Sequence, residues 1–196
     1  ESDFLNLYKE KLYGNRFFTN LLNPKKCEKI LDACSSPGGK AMLIAERMGE
    51  VKSLTLMEIH EDRIPRLKEN LKRCKLRNIT VVKGDARSPK NVLSEMYDGI
   101  LCDVPCSNSG VLQRRADARW RIGKERIKKL NILQNQILDG CSKMLLPNGR
   151  LVYSTCSLEN EENENLIGNW IKNNSEFYVE DSISIFPPDS KTDGAY

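Results

Sequence analysis

The chain has 196 residues, with 31 Lys or Arg against 27 Asp or Glu for a net charge of +4, and 39% of its residues are hydrophobic. This is ordinary globular composition, which excludes a disordered, collagen-like or disulfide-stapled chain. No apolar run approaches the roughly 18 residues that span a bilayer, and the N-terminus is polar from Glu1 onward, so neither a membrane helix nor a signal peptide is expected.

Short apolar runs alternate with longer amphipathic segments, the signature of a parallel sheet covered by helices. Ile30-Leu31 predicts a first strand, followed by a glycine turn and a helix from Lys40 to Met48. Leu54 to Met57 predicts a second strand, followed by a helix from Arg63 to Arg73. Further strands are expected at Ile79 to Val82, Gly99 to Cys102 and Arg150 to Tyr153. Between the last two, apolar residues from Ile127 to Leu145 recur every three to four positions and predict a long helix, which Pro147-Asn148-Gly149 should stop. A helix from Glu161 to Lys172 and a strand at Phe177-Tyr178-Val179 complete the pattern. No internal repeat and no linker interrupts it, so one domain is expected over residues 1–196.

In an open α/β sheet the ligand lies outside the carboxyl ends of the strands. The polar, glycine-bearing or acidic segments fall at those ends. Asp32-Ala33-Cys34-Ser35-Ser36-Pro37-Gly38-Gly39-Lys40 follows the first strand, Glu58 the second, Asp85 the third, Asp103-Val104-Pro105-Cys106 the fourth and Ser154-Thr155-Cys156-Ser157 the fifth. Gly38-Gly39 lets backbone approach a ligand, but it matches neither the dinucleotide fingerprint nor a phosphate-binding loop, which would need Gly in place of Cys34 and Ser or Thr in place of Ala41. Glu58 suits a pair of ribose hydroxyls. A nucleoside-bearing cofactor is therefore favoured over a phosphate-bearing one.

The seven cysteines, Cys27, Cys34, Cys74, Cys102, Cys106, Cys141 and Cys156, include no C-x-x-C pair, and His60 is the only histidine. Zinc sites, disulfide frameworks and imidazole-based acyl transfer are thus disfavoured, and no metal is expected. About five of the thiols read as buried small hydrophobes, and only Cys106 and Cys156 sit in a context that points to chemistry. Charge is also uneven: Gln113 to Lys129 holds eight basic and two acidic residues, whereas the chain from Cys156 onward holds nine acidic and two basic. The basic stretch, with Arg114, Arg115, Arg119 and Arg121, reads either as a solvated face or as a phosphate-contacting surface. Trp120 within it could stack on a base or simply hold the loop together.

Three segments resemble the Sun/NOP2/NSUN (RsmB-like) family of S-adenosylmethionine-dependent RNA 5-cytosine methyltransferases. They are Leu31 to Lys40 (LDACSSPGGK), Asp103 to Val111 (DVPCSNSGV) and Tyr153 to Asn163 (YSTCSLENEEN). The resemblance runs from about residue 14 onward, residues 1–14 reading as the remnant of an upstream segment. It implies a Rossmann-like class I methyltransferase domain with a mostly parallel, seven-stranded sheet and helices on both faces. The last strand is expected to begin at Asp193 to Tyr196 and be cut short, so the chain reads as a fragment of a longer protein.

The resemblance further implies that Cys34, Ser35, Ser36, Pro37, Gly38, Gly39, Lys40, Glu58, Asp85 and Asp103 bind S-adenosylmethionine. The glycine loop would serve the methionine part, Glu58 the ribose, Asp85 the adenine, and Asp103 would lie between cofactor and target base. Cys156 is implied as nucleophile and Cys106 as the thiol that assists product release, although the chemistry of the residues alone would let either thiol attack. The partner implied is rRNA or tRNA, bound by a monomer without a membrane, in the cytoplasm or, as an open alternative, the nucleolus. Departures from the family pattern are Ser35-Ser36 for Ala-Ala, Glu58 for Asp, Val104 for Ala, Asn108-Ser109 for Gly-Thr and Ala116 for Pro. Methylation of another acceptor, or an RNA-binding module of the same fold without turnover, are the competing readings.

Overall fold

A computed structural model describes residues 13–49, 53–186 and 193–196. The expected upstream remnant therefore lies almost wholly outside the described residues. By contacts, the chain divides into two compact units: residues up to Asp103 together with Asp139–Val152, and Val104–Leu138 together with Tyr153–Tyr196.

In the first unit, β1 (Lys29–Asp32), β2 (Ser53–Glu58), β3 (Ile79–Lys83), β4 (Tyr97–Asp103) and most of β5 (Leu145–Ser154) form a sheet in the order β3-β2-β1-β4-β5. The β1-β2, β1-β4 and β2-β3 pairs are parallel, with Asp32 opposite Leu56 and Leu101, and Glu58 opposite Lys83. After its exposed first residue, every residue of β1 and of β2 is buried. Such near-continuous apolar runs are what a parallel sheet covered on both faces requires.

The covering helices are α1 (Tyr13–Leu22), α2 (Gly39–Met48) and α3 (Ile64–Arg73). Helix α2 buries Ala41, Met42, Leu43, Ile44, Ala45 and Met48, and α3 buries Leu67 and Leu71. Gly38 precedes α2 at φ +103°, a backbone conformation that requires glycine, and a Cβ there would also press on Leu67 Cδ1 at 2.8 Å.

The second unit contains the first fifteen residues of α4 (Lys124–Ser142), the whole of α5 (Glu164–Asn173) and short 3-10 turns at Ser109–Val111, Ala116–Trp120 and Asn160–Glu162. Trp170 of α5 packs against Phe177, ring centroids 5.0 Å apart.

Three expectations need correction. Helix α4 ends at Ser142, and Pro147-Asn148-Gly149 falls within β5 instead of stopping the helix. Phe177-Tyr178-Val179 is not a strand: Phe177 is held by Trp170, while Tyr178 and Val179 are 80% and 51% exposed. The sheet has five strands among the described residues, not seven. At the expected last strand the backbone does pair locally, Ala195 bridging Ile185 and Tyr196 exchanging two hydrogen bonds with Thr155.

Candidate functional site

In the first unit, the sequence-predicted cofactor residues fall at the carboxyl ends of four adjacent strands. The turn after β1 is anchored on both sides: Ala33 N–H donates to Leu101 O (2.9 Å) and Ser35 N–H to Met57 O (3.0 Å). Ser35 Oγ donates to Asp32 O (2.8 Å), and Asn70 Nδ2 of α3 donates to Pro37 O (2.8 Å). Cys34 to Lys40 is thus a rigid, backbone-rich turn leading into α2, whose first turn has no acidic residue and no side-chain cap. Its backbone N–H groups and the positive end of the helix dipole suit a carboxylate.

Lys40 is 7% exposed, its Nζ 2.6 Å from Asp103 Oδ1 and 4.9 Å from the centre of the Phe18 ring. Glu58 is 5% exposed, and its Oε1 accepts from His60 N–H (2.8 Å). Asp85 is half-buried and gripped by Arg87, whose Nη2 and Nε reach its oxygens at 2.6 to 3.0 Å; this contact holds the Asp85 carboxyl below the usual carboxylate range.

The sequence reading left one acid of this edge without a role. Burial, reinforced by the Asp103 carboxyl and opposed by Lys40, pushes Asp32 up to about 7. Asp32 directly follows the apolar Ile30-Leu31, and that position at the carboxyl end of an expected strand is the signal available. Burial also pushes the Cys34 thiol well above its ordinary range, helped by Cys141 and the neighbouring carboxyls.

The donor set fits S-adenosylmethionine. Glu58, Asp85 and Asp103 outnumber Lys40 and Arg87, which suits a ligand bearing sulfonium and ammonium charges and no phosphate. The turn and the N-terminus of α2 supply donors for its carboxylate.

In the second unit, the residues around Cys106 and Cys156 are joined by a buried polar network. Cys156 N–H donates to Cys106 Sγ (3.3 Å) and Gly110 N–H to Cys156 O (3.0 Å). A Cβ on Gly110 would lie 2.5 Å from Gly194 O, so glycine permits this close approach. Asn163, at the start of α5, does not cap the helix with its side chain; it accepts from Thr155 Oγ1 (2.7 Å) and donates to Ser157 O (3.0 Å), framing Cys156 from both sides. Cys106 is 7% exposed, and burial, then Cys156 and Glu162, push its thiol up to about 12 against the backbone N–H groups of Asn108 and Cys156. Cys106 is therefore a neutral thiol at physiological pH.

Glu162 and Gln134, both fully buried, were not singled out by the sequence reading. The basic stretch is exposed at Arg114, Arg115, Arg119 and Arg121, with Arg114 paired to Asp193 and Arg121 to Asp117. Trp120 is 86% exposed, so it does not hold the loop together by packing.

A parallel sheet in this order, with a glycine turn after β1 and acids after the following strands, defines a Rossmann-like methyltransferase domain. The chain belongs to the 16S rRNA methyltransferase RsmB/F family, whose model matches residues 19–194. It is 42% identical over 157 residues to ribosomal RNA small subunit methyltransferase B of Photorhabdus laumondii, covering 80% of this chain and 36% of that protein. It is 43% identical over 145 residues to the protein of the same name from Vibrio vulnificus, covering 74% and 34%. The chain thus spans about a third of the length of these curated relatives. Among solved structures, NSun6 from Pyrococcus horikoshii with SFG matches at TM-score 0.81 and 28% identity, covering 92% of this chain and 49% of that one. No helix among the described residues is long and apolar enough to cross a membrane.

Proposed function

We propose that this protein is an RNA cytosine-C5 methyltransferase that uses S-adenosylmethionine and a cysteine nucleophile. The observation that carries the reading is the pair of unlike thiols, with Cys106 buried and held neutral and Cys156 beside it half-buried. When bound, S-adenosylmethionine supplies an electrophilic methyl group. Glu58 takes the ribose hydroxyls, Asp85 the adenine side, and the turn from Cys34 to Lys40 the methionine carboxylate.

Cytosine C5 is a poor nucleophile. The Cys156 thiolate adds to C6, forming an S–C6 bond and moving electron density onto C5. Asp103 faces N3 of the base and passes it a proton as electron density moves onto the ring, taking the proton back when the C5=C6 bond re-forms, and Lys40 orients it. After methylation, water beside Cys106 takes the C5 proton, the C5=C6 bond re-forms and the S–C6 bond breaks. The neutral Cys106 thiol hydrogen-bonds the departing sulfur, which leaves as thiolate.

A target base must leave its stack to be attacked, which favours single-stranded or remodelled RNA held by Arg114, Arg115, Arg119 and Arg121. Relatives named for the ribosomal small subunit support rRNA as the substrate.

The test is transfer of labelled methyl to RNA, followed by nucleoside analysis. Wild type should yield 5-methylcytosine, Cys156→Ala none, and Cys106→Ala a trapped protein–RNA adduct. Any other methylated nucleoside, or a Cys156→Ala protein with wild-type turnover, defeats the reading.

A further inference from the structure

Glu162 lies in the run Glu159-Asn160-Glu161-Glu162-Asn163-Glu164, which in sequence looks like a solvated acidic face, yet its side chain is wholly buried. No cation is bonded to it among the described residues. The donors it has instead come from the segments that carry the two cysteines. Ser107 N–H, next to Cys106, donates to both carboxyl oxygens at 3.0 and 3.3 Å. Ser157 Oγ, next to Cys156, donates to Oε2 at 2.7 Å. Gln134 Nε2 donates to Oε1 at 2.9 Å and also to Pro105 O at 2.9 Å, one residue before Cys106. The turn carrying Glu162 is itself fixed, Tyr153 Oη donating to the Glu162 carbonyl at 2.6 Å.

A carboxyl group without a cation is expensive to bury, and a tie between two loops could be made by neutral groups alone. A carboxyl group differs from a neutral amide here in two ways. It is an acceptor on both oxygens, so a backbone N–H, an amide and a hydroxyl can converge on it at once. It also places negative charge near Cys106, which opposes ionisation of that thiol.

We propose that Glu162 is a positioning residue for the two-thiol chemistry, tying the Cys106 segment to the Cys156 segment so that the two sulfurs are held in fixed relation. The proposal rests on the cysteine roles assigned under the proposed function. Glu162 acts through Ser107 and Ser157, whose donors it accepts. The serine hydroxyls extend the tie: Ser107 Oγ and Ser157 Oγ are 3.0 Å apart, and Ser109 Oγ accepts from Leu158 N–H at 2.8 Å.

The test uses Glu162→Gln, which keeps the shape and replaces one acceptor with a donor, and Ser157→Ala, which removes one bond of the tie. Each cysteine's alkylation by iodoacetamide is followed against pH by peptide mass spectrometry, with the buried Cys102 and Cys141 as internal controls. In Glu162→Gln the Cys106 profile should move to lower pH, with alkylation at mildly alkaline pH rising about two- to threefold, while Cys102 and Cys141 stay unreactive. Ser157→Ala should shift Cys106 in the same direction by less. In RNA methylation, Glu162→Gln should lower kcat and leave KM for RNA unchanged. If Glu162→Gln exposes all buried cysteines together, it has unfolded, and Ser157→Ala decides. A folded variant with the wild-type Cys106 profile overturns the proposal. A wild type that methylates no RNA defeats the functional reading instead, because alkylation does not depend on turnover.

Discussion

Asp32 sits in an environment that contradicts its ordinary chemistry. It is 1% exposed, faces the Asp103 carboxyl and is pushed up to about 7, so the folded protein holds a proton there that the unfolded chain releases in mild acid. A raised carboxyl pKa makes the folded state bind more protons than the unfolded one, so stability falls as pH rises through that window. For this group the loss begins near its unfolded value of about 4 and levels off above about 7. Asp32→Asn keeps the acceptor for Cys34 N–H and removes the titration. Denaturant unfolding should find it more stable than wild type at neutral pH by roughly 2–4 kcal/mol, with the gain vanishing in acid. A gain that does not depend on pH would show that Asp32 is ionised in the folded protein.

At the scale of elements, the segment from Gln113 to Lys129, which takes in the turn Ala116–Trp120 and the first turns of α4, carries the charge that the net +4 conceals. A solvated face is one of the two readings of the basic stretch, but a tryptophan 86% exposed among arginines is poorly explained by solvation alone. If this surface grips RNA, Trp120→Ala should leave the melting temperature unchanged and weaken binding of single-stranded RNA by about 1–3 kcal/mol, the range for a lost base stack. Arg119→Glu should also weaken binding and flatten its dependence on salt. Unchanged affinity in both variants, measured by fluorescence anisotropy, would leave the stretch a solvated face.

What was legible at this scale follows from periodicity. The β1 to β4 strands and α2 announced themselves because a parallel sheet needs continuous apolar runs and α2 an amphipathic one. Pro147-Asn148-Gly149 misled because a helix stop and a strand irregularity use the same residues. Glu162 and Gln134 were illegible because nothing local separates a buried acid from Glu161, its exposed neighbour; only donors far away in sequence, at Ser107 and Ser157, make the burial tolerable.

For the molecule as a whole, a ligand that binds only the folded state raises its stability by an amount set by concentration over Kd, independent of turnover. S-adenosylmethionine at a hundredfold excess over its Kd should contribute about 2.7 kcal/mol. For a chain of this length that is a rise of roughly 5–10 °C in Tm. In the proposed function Glu58 takes the ribose hydroxyls, so Glu58→Ala should lose most of the rise whatever its own starting Tm. Cys156→Ala, altered only at the proposed nucleophile, should keep it. The comparison separates two ways in which methyl transfer could fail: a chain that shows the rise but no transfer has its cofactor residues in order and lacks competence toward RNA. A wild type with no rise at saturating S-adenosylmethionine would mean that the acids at the ends of β1 to β4 serve some other ligand. Loss of the rise in Cys156→Ala would place that thiol among the cofactor contacts, and its role as nucleophile would then need a separate demonstration.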